Sequence, residues 1–336
     1  YLNTASAQSS FIGGGCMNEI QGSTSQNIIV GGTCNKICTS TNSNSIIVGG
    51  SNNLANNGSI SIGHSTIVGG TLNTATGGHS FIGAGANNCT TSPARYSAIV
   101  AGGNNKISSC YSFIGGGCKN VINSIYSVIG GGIQNCITID YSYIGGGCSN
   151  TASGEFSVVG GGISNNSGGN YSTVVGGKCS IAIGDKSFIG GGGCNLASGL
   201  HSTIAGGVSN TASANHSFIG GGCSNEIIDN SNDFSMIIGG NFNNVAINGN
   251  YGAIVGGLEN QICHGHSFII GSCITSSAQC TTHVNNLNVG CTTQMQLRNP
   301  IGTGAAGMLV ACDAGGGTAE LYFHDGSTYK KVCLVP

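Results

Sequence analysis

Little in this sequence is charged. Nine basic and eleven acidic residues leave 6% of 336 positions ionised, against about 25% in an ordinary soluble domain. The net charge of −2 supplies no basic field for nucleic acid or an anionic membrane surface. No uninterrupted apolar run approaches the roughly 18 residues that a bilayer-crossing helix needs. The opening residues, YLNTASAQSS, carry neither an initiator Met nor a secretory leader, as expected of a chain that starts inside a longer product or after processing. Seventeen Cys are present, an odd number, yet no CxxC pair occurs; Cys34 and Cys38 in CNKIC come nearest to a metal-ribbon spacing. The acids are scattered too, which argues against the paired carboxylates of a glycan-cleaving site.

What is abundant is Gly, at 62 residues, and it recurs with a period. Counting each Ser before an apolar pair as position zero gives Ser10, Asn27, Ser45, Ser65, Ser80, Ser97, Ser112, Ser127, Ser142, Ser157, Ser172, Ser187, Ser202, Ser217, Ser235, Gly252 and Ser267. The interval is 15 residues eight times running from Ser97 to Ser217, and 15 to 20 elsewhere. Position +2 is Ile or Val in all seventeen copies, +5 is Gly in sixteen, and +8 is Asn in fifteen of the first sixteen, Ser180 being the exception. So dense a mixture of Gly and β-branched residues excludes helix. One short β-branched run, a Gly-Gly bend and a second run such as Asn120-Val121-Ile122 read as one coil of a β-solenoid. Such a coil buries its apolar face only by stacking on neighbours. Seventeen coils at about 4.8 Å predict a rod of roughly 80 Å.

The +8 register survives in the long copies, so every insertion lies between that Asn and the next Ser. One corner carries loops, and the Gly-Gly-x-x-Asn corner tolerates none. The Gly residues there allow φ > 0 and close backbone approach, and the Asn row is expected to stack as an amide ladder satisfying turn backbone groups.

Positions +1 and +3 trade volume. Phe11, Phe81, Phe113, Tyr143, Phe188 and Phe218 each precede Gly at +3, whereas Thr66, Ala98, Thr173 and Ala253 precede Val68, Val100, Val175 and Val255. Only Phe268/Ile270 clearly departs. Side chains alternate across a strand, so +1 and +3 share the face opposite +2. Conserved volume is a property of packed faces. The expectation is that both faces are buried, +2 within its coil and +1/+3 against the same strand of sister chains.

The units SVIGGGIQN, NTASGEFSVVGGG and NLASGLHSTIAGG resemble the head repeats of YadA-like trimeric adhesins over about residues 10–272. The resemblance implies a left-handed parallel β-roll and a homotrimer associated along the inner strands, with Phe11, Phe81, Phe113, Tyr143, Val175, Phe188 and Phe218 in the interface. Two features depart from that family: the chain ends KKVCLVP in place of an amphipathic membrane anchor, and it is rich in Cys. The end, from THVNNLNV through GMLVACDAGGGTAELYFHDGSTYKKV, resembles terminal segments of fibre proteins of phages and large viruses. Leu321-Tyr322-Phe323 followed by Asp325-Gly326-Ser327 is in itself a hairpin signal.

Candidate chemistry is sparse. Asp229 and Asp233 share one insertion and read as a solvated loop. Position −1 is aromatic or His in most copies, predicting a stacked row along one edge. His201 over His216, or Cys263 with His264 and His266, would be its metal-binding alternative. Cys recurs at +6 and, in adjacent coils, at +7 (Cys179, Cys194), where stacking brings Cα atoms within disulfide range; reduced thiols are the expected state. A Cys nucleophile lacks a matching His and acid. GAGANN and GGGG precede no helix and so are not phosphate loops. Sequons at Asn57, Asn88, Asn165, Asn170 and Asn215 are near chance in this composition. No Thr-x-Thr row suits ice binding.

The expected organisation is an all-β chain with a lead-in at 1–9, a β-roll of about 17 coils at 10–272, a neck at 273–300 and a small C-terminal β module at 301–336. The expected role is a structural and adhesive fibre, not an enzyme and without cofactor or metal. It would sit on a virion, joined to an upstream virion or anchor component, and present Tyr322, Phe323 and Tyr329 to a host-surface glycan or protein receptor. It would bind no nucleic acid and insert in no membrane. A cellular trimeric adhesin is the first alternative and a glycan-cleaving tail spike the second.

Overall fold

A computed structural model describes residues 2–22, 26–39, 44–57, 64–228 and 234–285, together with the strands at 308–313, 319–324 and 329–331. These residues form two units, Tyr1–His283 and Val284–Pro336. The first is a parallel β-solenoid of about seventeen coils; no helix occurs among the described residues.

Each coil contributes a two-residue strand at +1 and +2, such as Phe113–Ile114, and a second at +9 and +10, such as Val121–Ile122. Like strands of successive coils pair in parallel and in register: Phe113 with Val128, Val121 with Cys136. Sheet one therefore runs from Phe11–Ile12 through Phe268–Ile270 to Thr282–Val284, and sheet two from Thr4–Ala5 to Gln261–Ile262. A third ladder consists of single bridges at +6, from Cys16–Thr33 to Asn241–Leu258. The core lies between the sheets. Every +2 residue after Ile12 is fully buried, facing equally buried +10 residues that range from Ile122 to Ala152 and Ser167. Two residues suffice for a strand here because the neighbours above and below supply all its pairing.

The turn between +4 and +8 explains the rest of the repeat. At +5 the backbone has φ between +86° and +101°. A Cβ added to Gly117 would stand 2.0 Å from the carbonyl oxygen of Gly132 in the next coil. Neighbouring Gly116 has nothing closer than 3.9 Å, and at this +4 position Ala84 and Ala101 replace Gly. The +7 residue is also left-handed, with φ of 53–58° in sixteen coils, although none of the sixteen is Gly.

The +8 amide ladder forms as expected. Asn120 Nδ2 donates to Gly116 O of its own coil and Gly132 O of the next, each at 2.9 Å. Its Oδ1 accepts from Asn135 N at 3.0 Å. The same bonds persist across insertions: Asn53 N still reaches Asn35 Oδ1, 18 residues earlier, at 3.0 Å. Much of the inserted sequence (23–25, 40–43, 58–63 and 229–233) lies outside the described residues, and with it Asp229 and Asp233. Ser180 interrupts the ladder. Its own N–H still donates the register bond to Asn165 Oδ1, but its buried Oγ has no partner.

In the second unit, 308–313, 319–324 and 329–331 form an antiparallel three-stranded sheet. Tyr322 is opposite Val310 and Lys331, and His324 is opposite Tyr329. The Asp325-Gly326-Ser327 link, the neck from 286 and the side chains of Tyr322, Phe323 and Tyr329 lie outside the described residues.

Two comparisons test this account. Gly131→Ala should be neutral or stabilising by up to about 1 kcal/mol, whereas Gly132→Ala should cost about 3 kcal/mol or more through strain and overlap with Gly147 O. Asn135→Ala, which strips partners from Gly131 O, Gly147 O and Asn150 N, should cost about 2–4 kcal/mol, and Ser180→Asn should gain about 1 kcal/mol. Urea-unfolding midpoints of the four variants check both orderings.

Candidate interaction faces

The solenoid turns distinct rows of side chains outward, and the outer face of sheet one is the most apolar. No +1 or +3 residue is charged in any of the seventeen copies. In the single chain this face is open: Phe11 is 59% exposed and Val175 50%, while Phe81, Phe113, Tyr143, Phe188 and Phe218 lie between 37% and 44%. Monomeric proteins seldom leave a continuous apolar patch of more than a few hundred Å² uncovered. Sheet two's outer face differs, with Glu19, Lys36, Lys106, Glu226 and Gln261 among its +9 residues. There Lys36 Nζ and Glu19 Oε2 make the one ion pair among the described residues, at 3.0 Å.

The volume trade on sheet one has a cause inside the chain. Each +1 ring lies back over the Gly two residues on. A Cβ on Gly13, Gly83, Gly115, Gly145, Gly190 or Gly220 would be 3.2–3.5 Å from an atom of that aromatic side chain, and 2.3–2.6 Å from a carbonyl oxygen of the next coil. Ring and Gly thus complement each other within one strand, and the trade does not require a partner. What sets this face apart is its exposure together with its absence of charge.

The row at −1 forms a stacked ladder, as the periodicity predicts. From His79 through Tyr96, Tyr111, Tyr126, Tyr141 and Phe156 to Tyr171, ring centroids are 4.7–5.2 Å apart and planes lie within 7–11°. The row breaks at Lys186 and resumes from His201 to His266. Ring faces cover one another, leaving edges to solvent; Tyr126 is 48% exposed. These residues, too, have positive φ, 55° at Tyr111 for example. Sequence reasoning missed that feature, although its signal is visible: neither −1 nor +7 of the first sixteen copies is ever Val, Ile or Thr. A β-branched side chain is the type least tolerant of this backbone region.

The metal alternatives find little support. His201 and His216 are adjacent, with centroids 5.0 Å apart and planes tilted by 47°. His264 turns to Ser276, its Nδ1 being 2.9 Å from the carbonyl oxygen, while His266 stacks on Tyr251. No group of three or more His, Cys, Asp or Glu able to hold a metal occurs among the described residues. Carboxylates serve the loop corner: Asp140 Oδ1 accepts from Ile125 N, and Asp185 Oδ1 from Asn170 N, each at 2.9 Å. The fourteen cysteines of the first unit are free thiols. Burial pushes the thiols of Cys89 and Cys136 up from their ordinary value. Among the sequons, Asn88 and Asn165 are buried in the amide ladder, while Asn170 and Asn215 are exposed at the loop corner.

No protein-family model matches this chain, and no curated protein matches it.

If the ring row contributes to stability, Tyr126→Ala, which removes two stacking partners, should lower it by about 1–3 kcal/mol. Tyr126→Phe should be nearly neutral, since Phe156 already occupies the equivalent place. Thermal midpoints of the two variants separate ring stacking from hydroxyl bonding.

Proposed function

We propose that the chain is the shaft of a homotrimeric structural and adhesive fibre, its solenoid a left-handed roll packed against two sister rolls along the outer face of sheet one. The observation that carries this reading is the uncharged, predominantly apolar +1/+3 row, half-exposed to exposed in one chain from Phe11 to Ile270. Self-association buries such a row without building any new element, and a closed ring of like chains leaves no copy of it open. The likeness of the repeats to trimeric adhesin heads supports three as the number. The likeness of the C-terminal segment to viral fibre ends supports a virion-surface location, with a receptor-binding tip carrying Tyr322, Phe323 and Tyr329. In this reading the fibre holds that tip away from the particle, toward a host-surface glycan or protein, and the solenoid performs no chemistry.

Light scattering tests the core of the proposal. The full chain should have three times its 33.3 kDa mass in solution. Val128→Lys places one charge at a half-exposed +1 position in the middle of the row. It should leave the coil folded, because surface substitutions typically shift stability by no more than about 0.5 kcal/mol, yet reduce the mass to that of one chain. A single-chain mass for the unaltered protein would overturn the proposal.

A further inference from the structure

Several regular features of the solenoid fail together within one short stretch. The buried apolar core divides into two clusters, one ending at Val159 and the other beginning at Val174. Between them the interior is polar, with Ser167 Oγ and Ser172 Oγ 2.7 Å apart. The amide ladder is interrupted at Ser180, the ring row is interrupted at Lys186, and the hydroxyls of Ser180, Ser187 and Ser202 are buried without a partner. Backbone pairing continues unbroken, Asn166 with Ile181 and Ile181 with Leu196.

Cys179 and Cys194 stand at this place. Both occupy +7 of adjacent coils, and the flanking pairs Lys178–Gly193 and Ile181–Leu196 put them directly in register. Both have the same left-handed backbone, with φ of 54° and 53°, and Cys194 N donates to Lys178 O at 2.8 Å. No other two described cysteines occupy the same position of neighbouring coils; Cys16 and Cys34, the nearest case, are one position out of register.

The geometry decides what such a pair can do. Rungs about 4.8 Å apart put the Cα atoms inside the roughly 4.4–6.8 Å span of disulfides, but parallel Cβ vectors keep the Cβ atoms at about 4.8 Å too, where a disulfide wants about 3.5–4.5 Å. The coils must therefore give by a few tenths of an ångström. Elsewhere the Asn at +8, next to this residue, clamps its coil to the next through two bonds, to the +5 carbonyl and from the next Asn N–H. Here that clamp is Ser180. Gly193, immediately before Cys194, adds further freedom, since nothing lies within 4 Å of where its Cβ would be.

We propose that Cys179 and Cys194 are a redox modification site, forming a disulfide that ties two coils together where the amide ladder, the ring row and the apolar core are interrupted. The oxidant is a low-molecular-weight disulfide such as glutathione disulfide. The exposed Cys194, as thiolate, attacks one sulfur of the oxidant, forming a mixed disulfide and releasing one glutathione thiolate. Cys179, as thiolate, then attacks Cys194 Sγ, closing the internal bond and releasing the second. Two protein thiols are oxidised and one small disulfide is reduced to two thiols; the two protons lost by the protein thiols end on the released glutathione thiolates.

The experiment incubates the full chain with glutathione disulfide, blocks remaining thiols and maps peptides by mass spectrometry. The expected product is a Cys179–Cys194 cross-link forming ahead of any other internal link, while exposed Cys223, Cys273 and Cys280, lacking in-register partners, carry glutathione. Hydrogen exchange across 167–202 should slow at least tenfold on oxidation and return on reduction. Ser180→Asn, by restoring the clamp, should slow closure several-fold while leaving glutathione uptake at Cys223 unchanged. Separate glutathione adducts on Cys179 and Cys194, with no cross-link in either protein, would overturn the proposal. So would a cross-link that leaves exchange in this stretch unaltered.

Discussion

A side-chain amide held in three directions governs this fold. Asn at +8 ties its own turn to itself through the +4 carbonyl, ties that turn to the next coil through the +5 carbonyl, and accepts the next Asn's backbone N–H. A carboxamide has donors and acceptor enough for this task, and a hydroxyl does not. The consequence reaches through the repeat. The path from Ser to Asn cannot change length without breaking all three bonds, so insertions collect on the other side of the coil. The +5 carbonyl lies so close to the neighbouring +5 residue that only Gly fits. The two strands then emerge in a fixed register, with +2 and +10 facing each other. Backbone pairing builds the stack, but the amide sets where each coil begins and ends.

The outer faces follow from the same repetition. Because coils are in register, any side chain placed outward is placed again about one rung higher, so a residue type becomes a row. Aromatic rings at −1 become a stack in which an interior ring uses both of its faces. Apolar residues at +1 and +3 become an uninterrupted strip, and the absence of charge from it is what distinguishes it from sheet two. The ring-over-Gly packing shows how a local rule can imitate a tertiary one. Phe113 and Gly115 fit each other as two parts of one strand, in the way that two facing surfaces would.

Most of the coil was legible because periodicity is a strong signal: the buried +2 row, the loop-bearing corner, the Asn ladder and the ring row all stand at the expected positions. The volume trade was legible as a pattern, though its cause was not. Alternation assigns +1 and +3 to one face and does not say that a +1 ring folds back over +3 rather than standing away from the sheet. The left-handed backbone at −1 and +7 was marked only by what never appears there, since Cys, Lys, Ser, Tyr and His carry no positive-φ signature of their own. The aromatic end segment had no repeat to amplify its signal. Its hairpin could be read from Tyr322, Phe323 and the Asp325-Gly326 pair, without indicating what the side chains meet.

A stack in which each coil touches only its neighbours has stability that is a sum of local terms, so its opening is set by the weakest interface rather than by the average. Ser180 and Lys186 each weaken one ladder, and neither alone would matter greatly in a rod of seventeen coils. Their coincidence with the polar Ser167–Ser172 contact concentrates three losses on adjacent interfaces. Sheet one's outer face carries no such interruption. Thr173 with Val175 and Phe188 with Gly190 continue the apolar strip across the same coils, and the Phe188 ring covers its Gly as the other Phe rings do. Association along that face, as proposed, would splint from outside the coils that are least well held from within, and it would do so without needing a perfect interior.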